Sequence, residues 1–90
     1  MIQSSKITIP PHVIARQVGE EVVILDLSKG TYFGLDPVGA RIWQLMGENN
    51  TLAEICDAMQ EDYDVTREDI ERDVVGLAER LMAQQLVAFT

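Results

Sequence analysis

The chain has 90 residues, a length that favours a single domain, so we expect residues 1–90 to form one folding unit. Hydrophobic residues make up 47% of the sequence and charged residues 24%, which argues against intrinsic disorder. Fifteen acidic and seven basic side chains give a net charge of −8, which opposes a broad phosphate-binding surface. Residues 1–35 are neutral in sum, and residues 36–90 carry the whole negative excess.

Membrane insertion and secretion find no support in the sequence. The longest purely apolar runs, such as residues 22–25, are far shorter than a membrane span. Residues 1–6 lead into no apolar segment of the kind that a signal peptide contains. We therefore expect a cytoplasmic protein. The single cysteine, Cys56, excludes an internal disulfide.

The first part of the chain has the composition and alternation of a small β-sheet. The three predicted strands cover residues 12–18, 21–27 and 31–35. Gly19 and Glu20 separate the first two strands and favour a tight hairpin turn. Pro10 and Pro11 oppose an extension of the first strand towards the N-terminus. The sequence therefore predicts a three-stranded antiparallel meander.

Three helices are predicted to follow the strands. Their N-caps are Asp36, Thr51 and Thr66, and hydrophobic residues recur at helical spacing after each. Pro37 suits the first helical position, and Gly47 suits the end of the first helix. The third helix is predicted over residues 67–84. An apolar tail, made by Leu86, Val87 and Phe89, is expected to fold back onto the core.

Three strands followed by three short helices predict an α+β fold. Two helices joined by a tight turn beside a small antiparallel sheet resemble a winged helix-turn-helix, a shape that many DNA-binding proteins share. The helix that would enter the groove carries three arginines and five acidic residues, so phosphates would repel it. We therefore expect no nucleic-acid binding.

Catalytic, metal and cofactor sites are not expected. The only histidine, His12, has no nucleophile near it in sequence. Cys56 lies on the apolar face of the second predicted helix beside Glu54 and Asp57, which oppose a reactive thiolate. The acidic residues 61–69 include no glycine for the sharp turn of a calcium loop. The sequence thus predicts a non-enzymatic protein with no metal and no cofactor.

Two glycines interrupt predicted secondary structure. Gly76 lies in the middle of the third helix, where glycine costs about 1 kcal/mol relative to alanine. It indicates either close packing against another helix or close approach of a ligand to the helix backbone. Gly34 lies in the third strand, where it indicates a bulge or a close approach of the same kind.

The third predicted strand is the last of the meander, so one of its edges is expected to be unpaired. An unpaired edge is a template for a foreign strand, with the third helix as the opposite wall of a groove. Charged residues of that helix would then select charges on the peptide; these are Asp69, Arg72, Asp73 and Arg80. The alternative is that Phe33 and Leu35 belong to the core and that Tyr32 is a half-exposed surface ring.

Residues 30–45 (GTYFGLDPVGARIWQL) resemble the strand-to-helix signature of the PqqD family. Residues 51–55 and Tyr63 are similar to the second helix of that family, and Asp73, Val74, Leu77 and Leu81 to its third. The resemblance covers residues 12–87. It implies a winged helix-turn-helix without enzymatic activity, which binds the leader of a ribosomal precursor peptide as an added strand beside the third strand.

Within the family, residues 32–36 resemble the stand-alone proteins of split lasso-peptide systems. Such proteins work with a separate cysteine leader peptidase and then a cyclase. One alternative is a peptide chaperone that serves a radical S-adenosylmethionine enzyme in pyrroloquinoline quinone synthesis. Others are a small helix-turn-helix regulator and an oligomerisation module, and we expect a monomer or a weak homodimer.

The resemblance assigns peptide-binding residues by position only. They lie in and before the third strand and along the third helix: Leu27, Lys29, Gly30, Thr31, Tyr32, Phe33, Gly34, Leu35, Asp69, Arg72, Asp73, Gly76 and Arg80.

Overall fold

Three antiparallel strands and three helices form the body of the computed structural model, which describes residues 6–89. The central sheet contains β2 (Val13–Val18), β3 (Glu21–Asp26) and β4 (Thr31–Leu35), in the order β2-β3-β4. The helices are α1 (Pro37–Gly47), α2 (Leu52–Asp62) and α3 (Arg67–Ala83). A second, two-stranded sheet pairs β1 (Ile7–Thr8) with β5 (Ala88–Phe89). The predicted α+β fold, a three-stranded antiparallel sheet followed by three helices, is confirmed.

The β2–β3 hairpin closes at the predicted turn. Val18 and Glu21 are register partners, which leaves two residues in the loop. Gly19 takes a φ of 64°, a left-handed conformation that glycine adopts without steric cost. A glycine at the first loop position suits the tight turns that match the twist of two antiparallel strands.

One face of the central sheet packs against the helices. Val22, Ile24 and Leu35 point to this face and are at most 8% exposed. α1 lies across β3 and β4 and buries Ile42 and Met46 in the same core. We call this the inner face of the sheet. The opposite, outer face is covered by no element among residues 6–89.

Side-chain caps fix the starts of the helices as predicted. The Asp36 carboxylate accepts a hydrogen bond from the Gly39 amide at 2.8 Å and so begins α1 directly after β4. Thr51 and Glu54 form the capping box of α2, each side chain accepting from the other's backbone amide. Each cap satisfies a backbone group that the first turn of a helix leaves unpaired.

The core continues between α2 and α3. Ile55, Met59, Val74 and Leu81 are fully buried there, and each such side chain contributes about 1.5–3 kcal/mol relative to an exposed position. Cys56 is also fully buried, and this burial raises the pKa of its thiol. Its place in the core agrees with the expectation that it is not a reactive nucleophile.

The pairing of β1 with β5 was not predicted. Leu86 and Val87 are buried, as expected of the apolar tail, and the chain then continues as a short strand beside Ile7 and Thr8. Two-residue strands carry no hydrophobic alternation from which a sequence pattern could identify them. Within residues 6–89, no helix is long and apolar enough to cross a membrane.

Candidate functional site

A cleft of about 540 Å³ opens between β4, the start of α1 and one side of α3. Its lining from β4 is Phe33, Gly34 and Leu35. Its lining from α3 is Arg72, Asp73, Gly76, Leu77 and Arg80. The buried side chains of Leu35 and Leu77 make an apolar base, and charged side chains stand at the rim. The arrangement suits an extended segment that is apolar on one side.

A tight turn before β4 positions its first residues. The Asp26 side chain is 1% exposed, and one of its carboxylate oxygens accepts hydrogen bonds from the Ser28 hydroxyl and from the amides of Ser28 and Lys29, at 2.8 to 3.1 Å. The hydroxyl contributes most to a pKa of Asp26 below its usual value. Gly30 completes the turn with a φ of 69°. The ionised carboxylate therefore holds the start of β4 in place.

The backbone groups of β3 alternate between its two neighbours. In an antiparallel pair, residues exchange hydrogen bonds at every second position, and the residues between them face the other side. The Leu27 amide donates to the His12 carbonyl at 2.8 Å, so Leu27 faces the β2 side. The backbone groups of Asp26, Ile24 and Val22, which alternate with those that face β2, therefore face β4.

This alternation identifies the free backbone groups of β4. The register pairs the β4-facing residues of β3 with Thr31, Phe33 and Leu35, whose backbone groups complete the ladder. The amides and carbonyls of Tyr32 and Gly34 then point away from β3. No strand among residues 6–89 pairs with this edge. The edge offers two donors and two acceptors to an incoming strand.

Open space surrounds two glycines at this cleft. A Cβ atom at Gly76 would meet no atom within 4 Å outside its own helix, and a Cβ at Gly34 would meet none either. Neither residue has a positive φ. The alternative that Gly76 packs closely against another helix is therefore wrong. The folded chain alone requires glycine at neither position.

Two charged side chains in the cleft are available to a ligand. Arg72 pairs with Asp69 one turn away on α3. Arg80 and Asp73 form no ion pair within residues 6–89. They lie seven residues apart on the same side of the helix, a separation of about 10 Å. Among residues 6–89, the cleft thus presents Arg80 and Asp73 without an ion-pair partner, in addition to Asp36, whose carboxylate caps α1.

A contact between Lys29 and Gln84 shows how these charges lie along β4. The Lys29 ammonium donates to the Gln84 carbonyl at 3.4 Å, so the start of β4 lies near the end of α3. Arg80 is therefore close to the first residues of β4. Asp73 lies towards the other end of the strand, where Asp36 also lines the cleft.

The structure brings together about half of the predicted binding residues. Those that line the cleft are Phe33, Gly34, Leu35, Arg72, Asp73, Gly76 and Arg80. Those outside its lining are Leu27, Lys29, Gly30, Thr31, Tyr32 and Asp69. Leu35 is buried in the core and Phe33 is partly buried against it, so each serves both the core and the cleft. Tyr32 is 78% exposed rather than half-exposed.

The start of α1 contributes lining residues that the sequence interpretation missed. Val38, Gly39 and Ile42 form this wall, and Val38 is 38% exposed. Their helical spacing resembles that of core residues, which hides their second contact. One feature of the sequence could have indicated this wall. The Asp36 cap follows β4 directly, so the first turn of α1 has to lie beside the end of that strand.

A second cleft, of about 590 Å³, lies at the opposite edge of the sheet. Trp43, Tyr63 and Arg16 are among its lining residues, and β2 provides its open edge. None of the predicted binding residues lines this second cleft. The mid-helix glycine and the free charges favour the cleft beside β4 as the candidate site.

Two solved structures have the same fold as this chain. One is described as TbiB1 in complex with the TbiA(beta) leader peptide; it is 42% identical, covers 88% of this chain and 92% of its own, and gives a TM-score of 0.84. The other is described as lasso peptide synthetase B1 complexed with the leader peptide; it is 25% identical, covers 92% of this chain and 98% of its own, and gives a TM-score of 0.85.

A family model agrees with these structural matches. The model described as coenzyme PQQ synthesis protein D (PqqD) matches residues 21–87, from the second strand of the central sheet into the apolar tail. No curated protein matches the chain.

Proposed function

The chain belongs to the PqqD family, and on this basis we propose that it binds the leader segment of a ribosomal precursor peptide in the cleft beside β4. Two solved relatives of the same fold, at 42% and 25% identity, are complexes with leader peptides. The observation that carries the proposal is the unpaired edge of β4 next to a helix with an open glycine at its centre.

The leader binds as an additional strand of the central sheet. Its backbone exchanges hydrogen bonds with Tyr32 and Gly34, the two β4 residues whose backbone groups are free. Alternate leader side chains then point to the inner side, where Phe33 and Leu77 offer apolar contacts. Backbone bonds contribute affinity for any sequence, and the side-chain contacts contribute specificity.

Gly76 gives the leader room between the strand and the helix. Because no atom of the protein occupies the space where a Cβ would stand, a leader side chain can reach the α3 backbone there. An anchor of this kind, buried at the centre of an interface, dominates binding energy in many complexes. The cost of a mid-helix glycine is then explained by binding rather than by folding.

Arg80 and Asp73 select the charge pattern of the leader. An acidic leader side chain lies near Arg80, beside the first residues of β4, and a basic or neutral one lies near Asp73. A basic leader side chain near Arg80, or an acidic one near Asp73, would be repelled by the like charge and would weaken binding. The remaining predicted residues act indirectly: Asp69 orients Arg72, and the turn at residues 27–30 positions the strand.

The protein has no catalytic role of its own and presents the bound precursor to other enzymes. In lasso peptide biosynthesis these are a separate cysteine leader peptidase and a cyclase, and the similarity to lasso peptide synthetase B1, at 25% identity and a TM-score of 0.85, supports this pathway. The description of the family model supports a second candidate, a peptide chaperone for pyrroloquinoline quinone synthesis that works with a radical S-adenosylmethionine enzyme. The acidic α3 opposes a DNA-binding regulator.

The first test is a fluorescence-anisotropy titration of the protein with the labelled TbiA(beta) leader peptide. We expect saturable binding that changes little between 50 and 300 mM salt, roughly a twofold change in Debye length, because backbone and apolar contacts dominate. A leader with the same composition in scrambled order is the control. Equal binding of the two peptides, or none of either, would contradict the proposal.

A further inference from the structure

The second cleft, at the β2 edge of the sheet, has features that neither the fold nor the proposed leader site explains. The residues of β2 that exchange hydrogen bonds with β3 are Ile14 and Arg16, because the backbone groups of their register partners face β2. The backbone groups of Ala15 and Gln17 therefore point away from β3, and no strand among residues 6–89 pairs with them. The β2 edge is thus a second place where an extended segment can add to the sheet.

The inner side of β2 is left uncovered beside this edge. α1 packs across β3 and β4, so the edge strand extends beyond it. Ala15 lies opposite the fully buried Ile24 and on the same side of the sheet, yet Ala15 is exposed. The resulting cleft of about 590 Å³ has the size of an ordinary ligand pocket. Its volume suits a few side chains rather than a whole domain.

Two aromatic side chains and an oriented guanidinium group line this cleft. They belong to Trp43, Tyr63 and Arg41. The Arg41 Nε donates to the Asp62 carboxylate at 2.8 Å, and its Nη1 donates to the Gln44 side-chain oxygen at 3.0 Å. These two bonds fix the plane of the guanidinium group. Aromatic rings accept apolar and aromatic side chains, and a guanidinium held in place pairs well with a carboxylate.

The indole N–H of Trp43 is available to a ligand. It makes no hydrogen bond within residues 6–89. Among the same residues, the only buried side-chain polar atom without a partner is an oxygen of Asp26, so the indole nitrogen is reached by solvent. Trp43 is 8% exposed and lines the second cleft. A carbonyl or carboxylate oxygen in the cleft can therefore replace water at this donor.

The two clefts adjoin the same helical turn. The cleft beside β4 is lined by Asp36, Val38 and Gly39, and the second cleft is lined by Pro37 and Ala40. The start of α1 is thus a ridge with one cleft on each side, and a helix is about 10 Å across. An extended peptide crosses that distance with about three or four residues.

One flank of a leader strand bound beside β4 has to leave at this ridge. Such a strand has one end beside Thr31 and the other beside Leu35, whichever direction it runs. Leu35 directly precedes the cap and the first turn of α1. The register places Leu35 opposite Val22, which lines the second cleft. The flank that leaves at the Leu35 end therefore reaches the second cleft within a few residues.

Size and charge favour a tethered occupant over an independent protein. A stable protein partner needs ~800 Å² on each side, far more than a cleft for a few side chains supplies. A segment tethered by a few residues has an effective concentration in the millimolar range, so weak contacts suffice to hold it. Arg16 and Arg41 outnumber Glu20 among the charged lining residues, whereas residues 36–90 carry a net charge of −8. The second cleft therefore suits a segment with a carboxylate.

We propose that the second cleft binds a second segment of the same precursor peptide, namely the flank that leaves the β4 site at its Leu35 end. This inference rests on the proposed function. The segment carries an apolar or aromatic side chain that packs on Trp43 and Tyr63, and an acidic side chain that pairs with Arg41. Binding in both clefts wraps the precursor around the start of α1 and fixes where the rest of the peptide leaves the protein.

The test fills the second cleft without touching the first. Ala15→Phe places a ring in the second cleft, and Ala15 is an exposed residue outside the lining of the cleft beside β4. Ala88→Phe is the matched control, because Ala88 is also an exposed alanine of an edge strand and lines neither cleft. Arg41→Gln is a second variant, which removes the charge and keeps a polar side chain.

Two peptides are compared with each variant. One is the full TbiA(beta) precursor, and the other is the shortest piece of its leader that still binds the wild-type protein saturably. Anisotropy of the labelled peptides gives both affinities. Trp43 is the only tryptophan of the chain, so protein that contains 5-fluorotryptophan gives a single fluorine-19 resonance, which reports on the second cleft.

We expect the full precursor to bind the wild-type protein roughly fivefold or more tightly than the short piece, because its flank adds contacts in the second cleft. Ala15→Phe should remove this difference and leave the affinity for the short piece unchanged. Arg41→Gln should reduce the difference, and Ala88→Phe should change neither affinity. The fluorine-19 resonance should shift with the full precursor and not with the short piece.

Equal affinities of the two peptides for the wild-type protein would overturn the inference, and so would a folded Ala15→Phe protein that retains the difference. A fluorine-19 resonance that moves with protein concentration in the absence of peptide would also overturn it, because a second copy of the chain would then occupy the cleft. Failure of both peptides to bind would instead overturn the proposed function, and the inference with it.

Discussion

At the scale of single residues, the candidate site depends on two side chains, those of Asp26 and Arg80, and on the lack of a side chain at Gly76. Asp26 is buried and bonded to the turn, so it fixes where β4 begins. Arg80 has no ion-pair partner within the described residues. Gly76 has open space where another residue would have a side chain. The glycine in the helix interior costs the free protein about 1 kcal/mol relative to alanine, and a bound peptide would offset this cost.

The sharpest residue-scale prediction concerns Gly76. Gly76→Ala should stabilise the protein by about 1 kcal/mol, because alanine favours a helix interior and its Cβ meets nothing. Gly76→Leu should gain most of that stability but lose at least tenfold in affinity for the TbiA(beta) leader, because its side chain occupies the cleft. Thermal unfolding and anisotropy measure the two effects separately. A folded Gly76→Leu protein with wild-type affinity would place the leader elsewhere.

At the scale of elements, the edge of β4 is the feature that a variant can address directly. The Tyr32 amide points outward, so Tyr32→Pro removes one donor for the leader and no bond of the sheet. We expect a loss of leader affinity of at least tenfold, about 1.4 kcal/mol, with the far-ultraviolet circular dichroism retained. Tyr32→Val, which keeps the amide, is the matched control for loss of the ring.

A proline at the neighbouring position should damage the fold as well as leader binding. The Phe33 amide faces β3, so Phe33→Pro breaks the ladder of the sheet and should lower the melting temperature as well as leader binding. If Tyr32→Pro and Phe33→Pro destabilise the fold equally, the assignment of the free edge is wrong.

Most elements could be predicted from the sequence because their signals are local. The Gly19 turn and the caps at Asp36, Thr51 and Thr66 depend on residues within three or four positions of each other, and the structure confirms them. The pairing of β1 with β5 joins residues about eighty positions apart and has no local pattern. Sequence periodicity alone cannot foresee such a contact.

The site was harder to predict than the fold for a related reason. A glycine in a helix indicates either tight packing or open space, and only its neighbours in three dimensions decide between them. Val38 and Ile42 have the spacing of core residues, yet they also line the cleft. A residue that serves both the core and the cleft has the sequence pattern of a core residue, so its contact with the cleft cannot be recognised from the sequence.

At the scale of the whole molecule, charge is divided between two sides. Residues 1–35, which include the central sheet, are neutral in sum, whereas residues 36–90, which include the three helices, hold the negative excess. We propose that residues 1–90 nevertheless form one domain, because a single core joins the sheet to all three helices. Such a domain should unfold in one cooperative step.

Leader binding should be visible as a shift of that step. At a leader concentration one hundred times the dissociation constant, the free energy of unfolding rises by about 2.7 kcal/mol. For a domain of this size the melting temperature should increase by roughly 10–20 °C. Differential scanning calorimetry with the TbiA(beta) leader and its scrambled control measures the shift. Two separate transitions, only one of which moves, would contradict the single-domain proposal.

The pairing of β1 with β5 has a consequence for how this protein connects to others. The two strands bring the beginning and the end of the described chain side by side, and β1 lies against Met46 and Gly47 in the last turn of α1. The cleft lies at the first turn of the same helix. A tether joined to either end of the described chain would therefore leave from the same place, about 16 Å of helix away from the cleft. Such an attachment would start at the end of α1 that is remote from the lining of the cleft beside β4.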